Sequence, residues 1–600
     1  MRRIKSLQKF LALLFALALV AAACGSDSDD DTSTGADDDT AEDESVSAGD
    51  EAEGDVDTEV EESVSTDRTY GGDISVGLEA EATGLRPWEE PCSSPCINIS
   101  TSIYDKLIEF RADGTYGGFL AESFESNDDF TEWSLTLRSG VTFHNGVELT
   151  SQTLVDMFEI QKTGAASSGR IAASFLADVE VVDDLTAKYI LSQSNSAFIA
   201  YLERIPLGLV FEPAAAAADP DGFTLAPIGT GPFMMDKRDI DNETVVVRNP
   251  DYWGVDQDGN QLPYLDSITW KPIPDEGTRL DSLLSGTVDA MQTLRQGTIR
   301  DARDNSDSIV LYEFQGNNVG GGMFNVAAAP YDDVRVRRGL TLMNQQEAVI
   351  DALGGTGISL PGTQWFSPDS PWYSEAAAAA WPQFDPEEGA TVLQGYIDDP
   401  DRSDGKAVGE KIEGERSWPP DPTLVAAMQV LEQEWSNSGL VDVNLTQYDQ
   451  ATHINYALGA DPDWLGEHGA HCWRWSSDQD PSTELNRQFA PYNLDNATEV
   501  GLEGVFTPTN YFNYFDADIF ADLSAAIQTD DFETRKALYE SVMIKIAEDV
   551  PVWYSGHTAT MIATIPEVQG INGWVLPDGT LGVGFPAAEG RWHEVWLQQS

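Results

Sequence analysis

The run Glu467-His468-Gly469-Ala470-His471-Cys472 is where metal-ligating side chains crowd together in this 600-residue chain, and it holds two of the six histidines. An H-x-x-H-C run offers imidazole nitrogen and thiolate sulfur, donors that suit zinc, nickel or copper. Its spacing matches no fixed ligand pattern and a third anchoring residue is not evident, so the competing reading is a plain loop and no metal site is assigned. Catalytic chemistry has little else to work with. The chain has no G-x-S-x-G nucleophile turn, no Gly-rich phosphate loop, no H-E-x-x-H and no Cys-x-x-Cys. With 102 Asp and Glu, a close pair of carboxylates carries no information. An enzyme is therefore not expected; a secreted hydrolase is kept as the rival reading.

The acids outnumber 34 Lys and Arg and leave a formal net charge of -68. Phosphate backbones need clustered cations, so nucleic acid is excluded as a partner. The imbalance fits a surface exposed to a saline exterior, where self-repulsion is screened. Residues 1–24 run the other way, with four bases and no acid. Met1–Lys9 is basic and Phe10–Ala23 is apolar but too short to span a bilayer, the pattern of an export signal. Ala21-Ala22-Ala23 then precede Cys24, which resembles a bacterial lipobox. Small residues let a peptidase reach the bond before Cys24, and the Cys24 sulfur takes the lipid. Residues 25–66 hold 18 acids, no base and no aromatic ring. Such a segment cannot bury enough surface to offset its ordering entropy, and reads as a disordered acidic tether. No second apolar run reaches about 18 residues. The expectation is a protein anchored to the outer face of a cell membrane by lipid, not threaded through it.

The elements that must position a site follow from periodicity. Trp133–Leu137 alternates as a strand. Thr150 caps a helix over 150–162 that aligns Leu154, Val155 and Phe158. Asp421 and Pro422 open another helix, whose stripe Leu424, Met428, Leu431 and Trp435 ends at Gly439. Val441, Val443 and Leu445 then alternate as a strand. Asp530 with Glu533 has the form of a capping box ahead of Leu538, Val542 and Ile546. Residues 398–414 read as a surface loop. Helices and strands interleave throughout, so the class is α/β or mixed α+β, and the length predicts two or three lobes.

Longer blocks carry a resemblance. Residues 112–162 contain ADGTYGGFLAESFESNDDFTEWSLTLRSGVTFHNGVELTSQTLVDMFEI. IGTGPF (228–233), RNPDYWG (248–254), FNVAAAPYDDVRVRRGL (324–340) and ETRKALYESVMIKIAEDVPVWY (533–554) follow in order. Together they closely resemble the family 5 extracellular solute-binding proteins, the peptide and nickel receptors of ABC importers. The resemblance covers about residue 70 to 590. It implies a two-lobed clamp of the periplasmic-binding-protein kind with an extra domain. Lobe I would combine 68–105, 225–318 and 548–600, the extra domain 106–224, and lobe II 319–547. The two crossings between lobes would form the hinge, with ligand engulfed between them.

The resemblance also implies site residues. In the family's peptide binders an Asp shortly before an Asp/Glu-Pro meets the ligand's amine. Here that stretch is Trp473-Arg474-Trp475-Ser476-Ser477-Asp478-Gln479-Asp480-Pro481, and Asp478 fits if one residue is deleted; otherwise Ser477 occupies the place. Arg416, in GERSWPPDP, stands two residues off the position of an Arg that pairs with a ligand carboxylate in dipeptide binders. Trp88, Trp473 and Trp475 lie in blocks that face the cleft, with Trp475 the favoured ring. A bridge from Cys472 to the Cys92 loop would lock the clamp, so Cys92–Cys96 is the expected disulfide, with Cys472 left as a thiol. The implied role is a monomeric receptor that needs no cofactor and hands oligopeptides or dipeptides to ABC permease subunits. Oligosaccharide is the next ligand class, and nickel or a metal chelate the third.

Overall fold

The computed structural model describes residues 68–600 except 83, 90–91, 164–175, 204–206, 420–421, 449–451, 454–455, 458–467, 476–479, 502–509, 511 and 600. The expected signal, the lipidation site Cys24 and the tether lie outside the described residues, as do Glu467, Ser477 and Asp478.

Eleven strands build one mixed sheet. They are β1 (Asp73–Leu78), β2 (Phe233–Asp239), β3 (Glu243–Arg248), β4 (Ser267–Pro272), β5 (Ala290–Thr293), β6 (Val310–Phe324), β7 (Ser359–Leu360), β8 (Ile412–Trp418), β9 (Val441–Gln447), β10 (Ala470–Trp475) and β11 (Val552–Thr564). Their order is β9-β8-β10-β6-β11-β5-β1-β4-β3-β2, with β7 paired to β11 off that path. β1 lies parallel between β4 and β5, and β11 returns from near the C-terminus to pair antiparallel with β5. Distant stretches of chain thus share one half of the sheet.

Two principal cores flank it. Ile74, Val76, Trp270 and Trp592 belong to the first, and Val319, Phe324, Trp435 and Trp553 to the second. Most of the apolar driving force for the two lobes comes from burying these rings and branched side chains. β6 and β11 run through both. Ile562 packs in the first core, whereas Val319, Met323 and Val552 pack in the second. A separate four-stranded antiparallel sheet is ordered Ala121–Ser126, Glu132–Leu137, Thr186–Leu191, Leu176–Val181, and its buried face joins the first core. This is a mixed α/β fold in two lobes.

Local expectations meet the structure closely. The strand Glu132–Leu137 buries Trp133, Leu135 and Leu137 on one face. The helix Ser151–Gln161 begins after Thr150, whose N–H donates to Thr153 Oγ1. The helix Pro422–Asn437 buries Met428, Leu431 and Trp435. Gly439, at φ +71°, turns the chain into β9. Two details differ. The helix Phe532–Asp549 is capped by Asp531, which accepts from Thr534 N–H at 2.9 Å, so the cap lies one residue beyond Asp530. The stretch read as a loop to Gly414 already enters β8 at Ile412, drawn in by parallel pairing with β9.

Candidate functional site

β6 and β11 pair antiparallel from Val310–Thr564 to Met323–Val552, and their register breaks between Gln315 and Val319 and again between Gly320 and Gly321. Gly320 stands opposite Gly556 at the second break. Gly556 adopts φ +136°, a region that strongly favours glycine. A Cβ there would sit 2.6 Å from the Leu360 carbonyl oxygen. These breaks fall where the pair passes from the first core to the second.

β10 lies on the other side of β6, and Arg474 pairs in register with Gly320. Opposed residues of an antiparallel pair share a face. Arg474 therefore stands in a row that continues with two glycines, Gly320 and Gly556, closely approached by Ser555 Oγ and the Leu360 carbonyl. Its Nη1 reaches across to donate to the Leu294 carbonyl at 3.3 Å, just beyond β5. Among the described residues this is its one hydrogen bond, and it forms no salt bridge. Arg474 is exposed, yet protein walls crowd it; that desolvation draws its pKa down, and the like charge of Arg295 acts the same way. Glu79 and Glu276 oppose the shift. On the facing side, Glu276 is already engaged: it lies 2.7 Å from Arg279 and 3.8 Å from Arg295, and accepts from Thr293 and Thr298 hydroxyls. The 106–224 segment also reaches the 319–547 segment, where Tyr201 Oη donates to the Ser482 carbonyl at 3.1 Å and Ser196 Oγ to the Thr529 carbonyl at 2.6 Å.

The residues singled out from sequence are placed differently. Arg416, on β8, is 0% exposed, with its guanidinium between the Trp435 and Trp553 rings at 4.1 and 4.6 Å. None of its nitrogens has a hydrogen-bond partner among the described residues, and burial draws its pKa down to about 10. Burial likewise pushes the nearby Glu434 up to about 7. Enclosed by two indoles, Arg416 presents no surface to a ligand in this form. Trp475 is buried against Trp365 and Phe512, with ring centroids 5.1 and 6.0 Å away. Trp88 is buried against Phe211 and Phe223 at 4.4 and 5.2 Å. Trp473 is half-buried and stacks on His453. Cys92 and Cys96 form a disulfide with Cα atoms 5.2 Å apart, while Cys472 is a buried thiol.

The histidine run gains a partner that sequence reading missed. The rings of His453 and His468 both pack on His471, with centroids 4.4 and 4.6 Å away. His471 Nδ1 lies 2.8 Å from Ser417 Oγ, and His453 Nε2 donates to the Cys472 carbonyl at 3.1 Å. Burial, then the neighbouring imidazoles, hold His471 neutral far below its usual range. Strand alternation sends the Cys472 side chain to the opposite face from His471, so the thiol and that ring do not converge. Among the described residues, no group of three His, Cys, Asp or Glu is arranged to hold a metal ion. A cavity of about 130 Å³, lined by Asn344, Gln346, Trp381, Phe384, Trp553 and Tyr554 among others, lies beside the second core.

Residues 115–496, more than half of the chain, match the family model described as "Bacterial extracellular solute-binding proteins, family 5 Middle". This chain belongs to family 5 of the bacterial extracellular solute-binding proteins. It is 25% identical over 508 residues to the dipeptide-binding protein of Escherichia coli K12, covering 78% of this chain and 86% of that one. Among solved structures it resembles AgaA of A. tumefaciens R10 in complex with agropinic acid, at TM-score 0.72 and 21% identity over 88% of this chain and 99% of that one. DppA of Helicobacter pylori in complex with the peptide STSA also gives 0.72, at 19% identity over 88% and 99%. The two lobes are therefore those of a family 5 clamp, and the chain is an extracytoplasmic solute receptor serving an ABC importer. Among the described residues, no helix of this receptor is long and apolar enough to cross a membrane.

Proposed function

We propose that this receptor is a lipid-anchored monomer that captures short peptides between its lobes and delivers them to a membrane permease, without itself catalysing a reaction. The observation that carries the reading is the double crossing of β6 and β11 between two separately packed cores, with the exposed, desolvated Arg474 at the break. Hinged lobes that engulf a solute need this layout: few strands cross, and a polar wall lies beside the crossing. Residues 68–105, 225–318 and 548–600 would form the lobe on one side and 319–547 the lobe on the other, with the start of β11, Val552 to Tyr554, packing in the second core. The 106–224 segment packs as an extra domain. Peptide is the ligand class favoured by the dipeptide-binding and peptide-bound relatives. Asp478 would supply the carboxylate for the peptide's amine. Cys24 would carry the lipid and 25–66 would hold the receptor off the membrane.

Native mass spectrometry on gently purified protein tests this. A co-purified peptide, or retention of peptides from a defined tripeptide pool, is expected. A protein that retains none of them, or that cleaves them, would sink the reading.

A further inference from the structure

We propose that Arg474 and Arg295 form an anion clamp across the cleft, so that the carboxylate of a bound solute is what draws the two lobes together. This rests on the cleft being the solute site. Arg474 projects from β10 in the second lobe, and Arg295 follows β5 in the first. Their like charges act on each other, and Arg474 crosses far enough to reach the carbonyl of Leu294, the residue next to Arg295. Among the described residues no carboxylate forms a salt bridge with Arg474; the Glu276 carboxylate facing it is held by Arg279, Thr293 and Thr298 and also lies 3.8 Å from Arg295. Two guanidiniums that approach from opposite lobes repel each other, and low local dielectric strengthens that repulsion, which Glu79 and Glu276 offset in part. A carboxylate placed between them reverses the sign: it accepts charge-assisted hydrogen bonds from both sides and replaces repulsion by two attractions. The solute then binds the closed arrangement better than the open one, which is the condition for ligand-driven closure. The chain carries a net charge of -68, so its general field repels anionic solutes. A local pair of cations is what makes their capture possible.

Two measurements test the clamp. In the first, the parent protein, Arg474→Gln and Arg474→Lys are each offered a pool of free-acid tripeptides and the same pool with amidated C-termini, and retention is read by native mass spectrometry. Arg474 is exposed, so the variants fold. The parent should retain free acids at least about 100-fold better than amides, and Arg474→Gln should lose that preference while Arg474→Lys keeps part of it. Equal retention of acids and amides by the parent, or an unchanged preference in Arg474→Gln, overturns the clamp and leaves the peptide-receptor reading intact. In the second, small-angle scattering compares ligand-free parent and Arg474→Glu. Reversing one charge turns repulsion into attraction, so the variant should have the smaller radius of gyration. Equal radii overturn the clamp even if the parent retains no peptide at all, an outcome that would count against the peptide reading alone.

Discussion

Gly320 on β6 faces Gly556 on β11 at the second register break of the strand pair that passes between the two cores. Neither residue has a side chain to hold the strands to one spacing there. The backbone of Gly556 sits at φ +136°, and the Leu360 carbonyl blocks the place of a Cβ.

Gly556→Ala should therefore destabilise the protein by roughly 1–3 kcal/mol, the usual cost of a side chain held in a disfavoured backbone region. The relief available is a shift of β7 away from β11, which would also change how the strands bend at the crossing. Denaturant unfolding measures the first effect. Scattering with and without a bound peptide measures the second, and the variant should show a smaller change in radius than the parent. An alanine variant as stable and as mobile as the parent would remove this site from the hinge.

Arg416 gives a test that separates packing from recognition. Its guanidinium has two aromatic faces worth about 2 kcal/mol each at best when desolvated, but its nitrogens lack hydrogen-bond partners. Buried unpaired charge is costly, and an apolar side chain of similar length avoids that cost. Arg416→Met should be at least as stable as the parent and bind peptide equally well. Arg416→Ala, which leaves a void between Trp435 and Trp553, should lose about 2–4 kcal/mol. Loss of peptide binding in a stable Arg416→Met protein would restore the ligand role that sequence position suggested.

The W-R-W segment shows why the fold was easier to read than the site. Block order and helix stripes such as Met428, Leu431 and Trp435 report burial directly, and they placed the lobes' elements well. The same residues say little about which face a strand turns to the cleft. Trp475 looked like the ligand-facing ring, but period-two alternation sends it inward with His471 and turns Arg474 outward. That alternation was available in the sequence, with Arg474 flanked by two large rings. His453 was not recoverable: its place beside His471 depends on how a separate helical segment packs on β10. The enclosure of Arg416 was not legible either: its strand begins inside a polar, turn-rich stretch, and the indoles around it come from a following helix and from β11.

Anchoring is tested at one atom. The proposal that the Cys24 sulfur carries lipid predicts that Cys24→Ala moves the protein from the membrane fraction to the soluble fraction. A single acyl chain binds membranes only marginally, so loss of the whole lipid group should leave no measurable residue at the membrane. The folded part should melt at the same temperature as in the parent. Fractionation that finds Cys24→Ala still membrane-bound would reject the lipidated cysteine.

The last prediction concerns acid. His557 follows Gly556 on β11, is 1% exposed, and has no hydrogen-bond partner at Nδ1 among the described residues. Burial holds its pKa at about 4, down from 6.5. As pH falls below 6.5 the unfolded chain takes up a proton that the folded protein refuses until about pH 4. Stability carried by the neutral ring is thus fully present above pH 6.5, and it is lost as pH falls towards about 4, at about 1.4 kcal/mol per pH unit for one proton. Other groups also titrate in this window. Burial lowers His144 to about 4 and His593 to about 3, adding to the loss, while Asp105 at about 6 and Glu434 at about 7 act in the opposite direction. A single substitution isolates one of them. His557→Gln has no proton to exchange, so the stability difference between parent and variant should be constant above pH 7 and should change in the variant's favour between pH 6.5 and about 4. Denaturant unfolding at a series of pH values measures it. Parallel stability curves for the two proteins through that window would show that the folded protein does not hold His557 neutral.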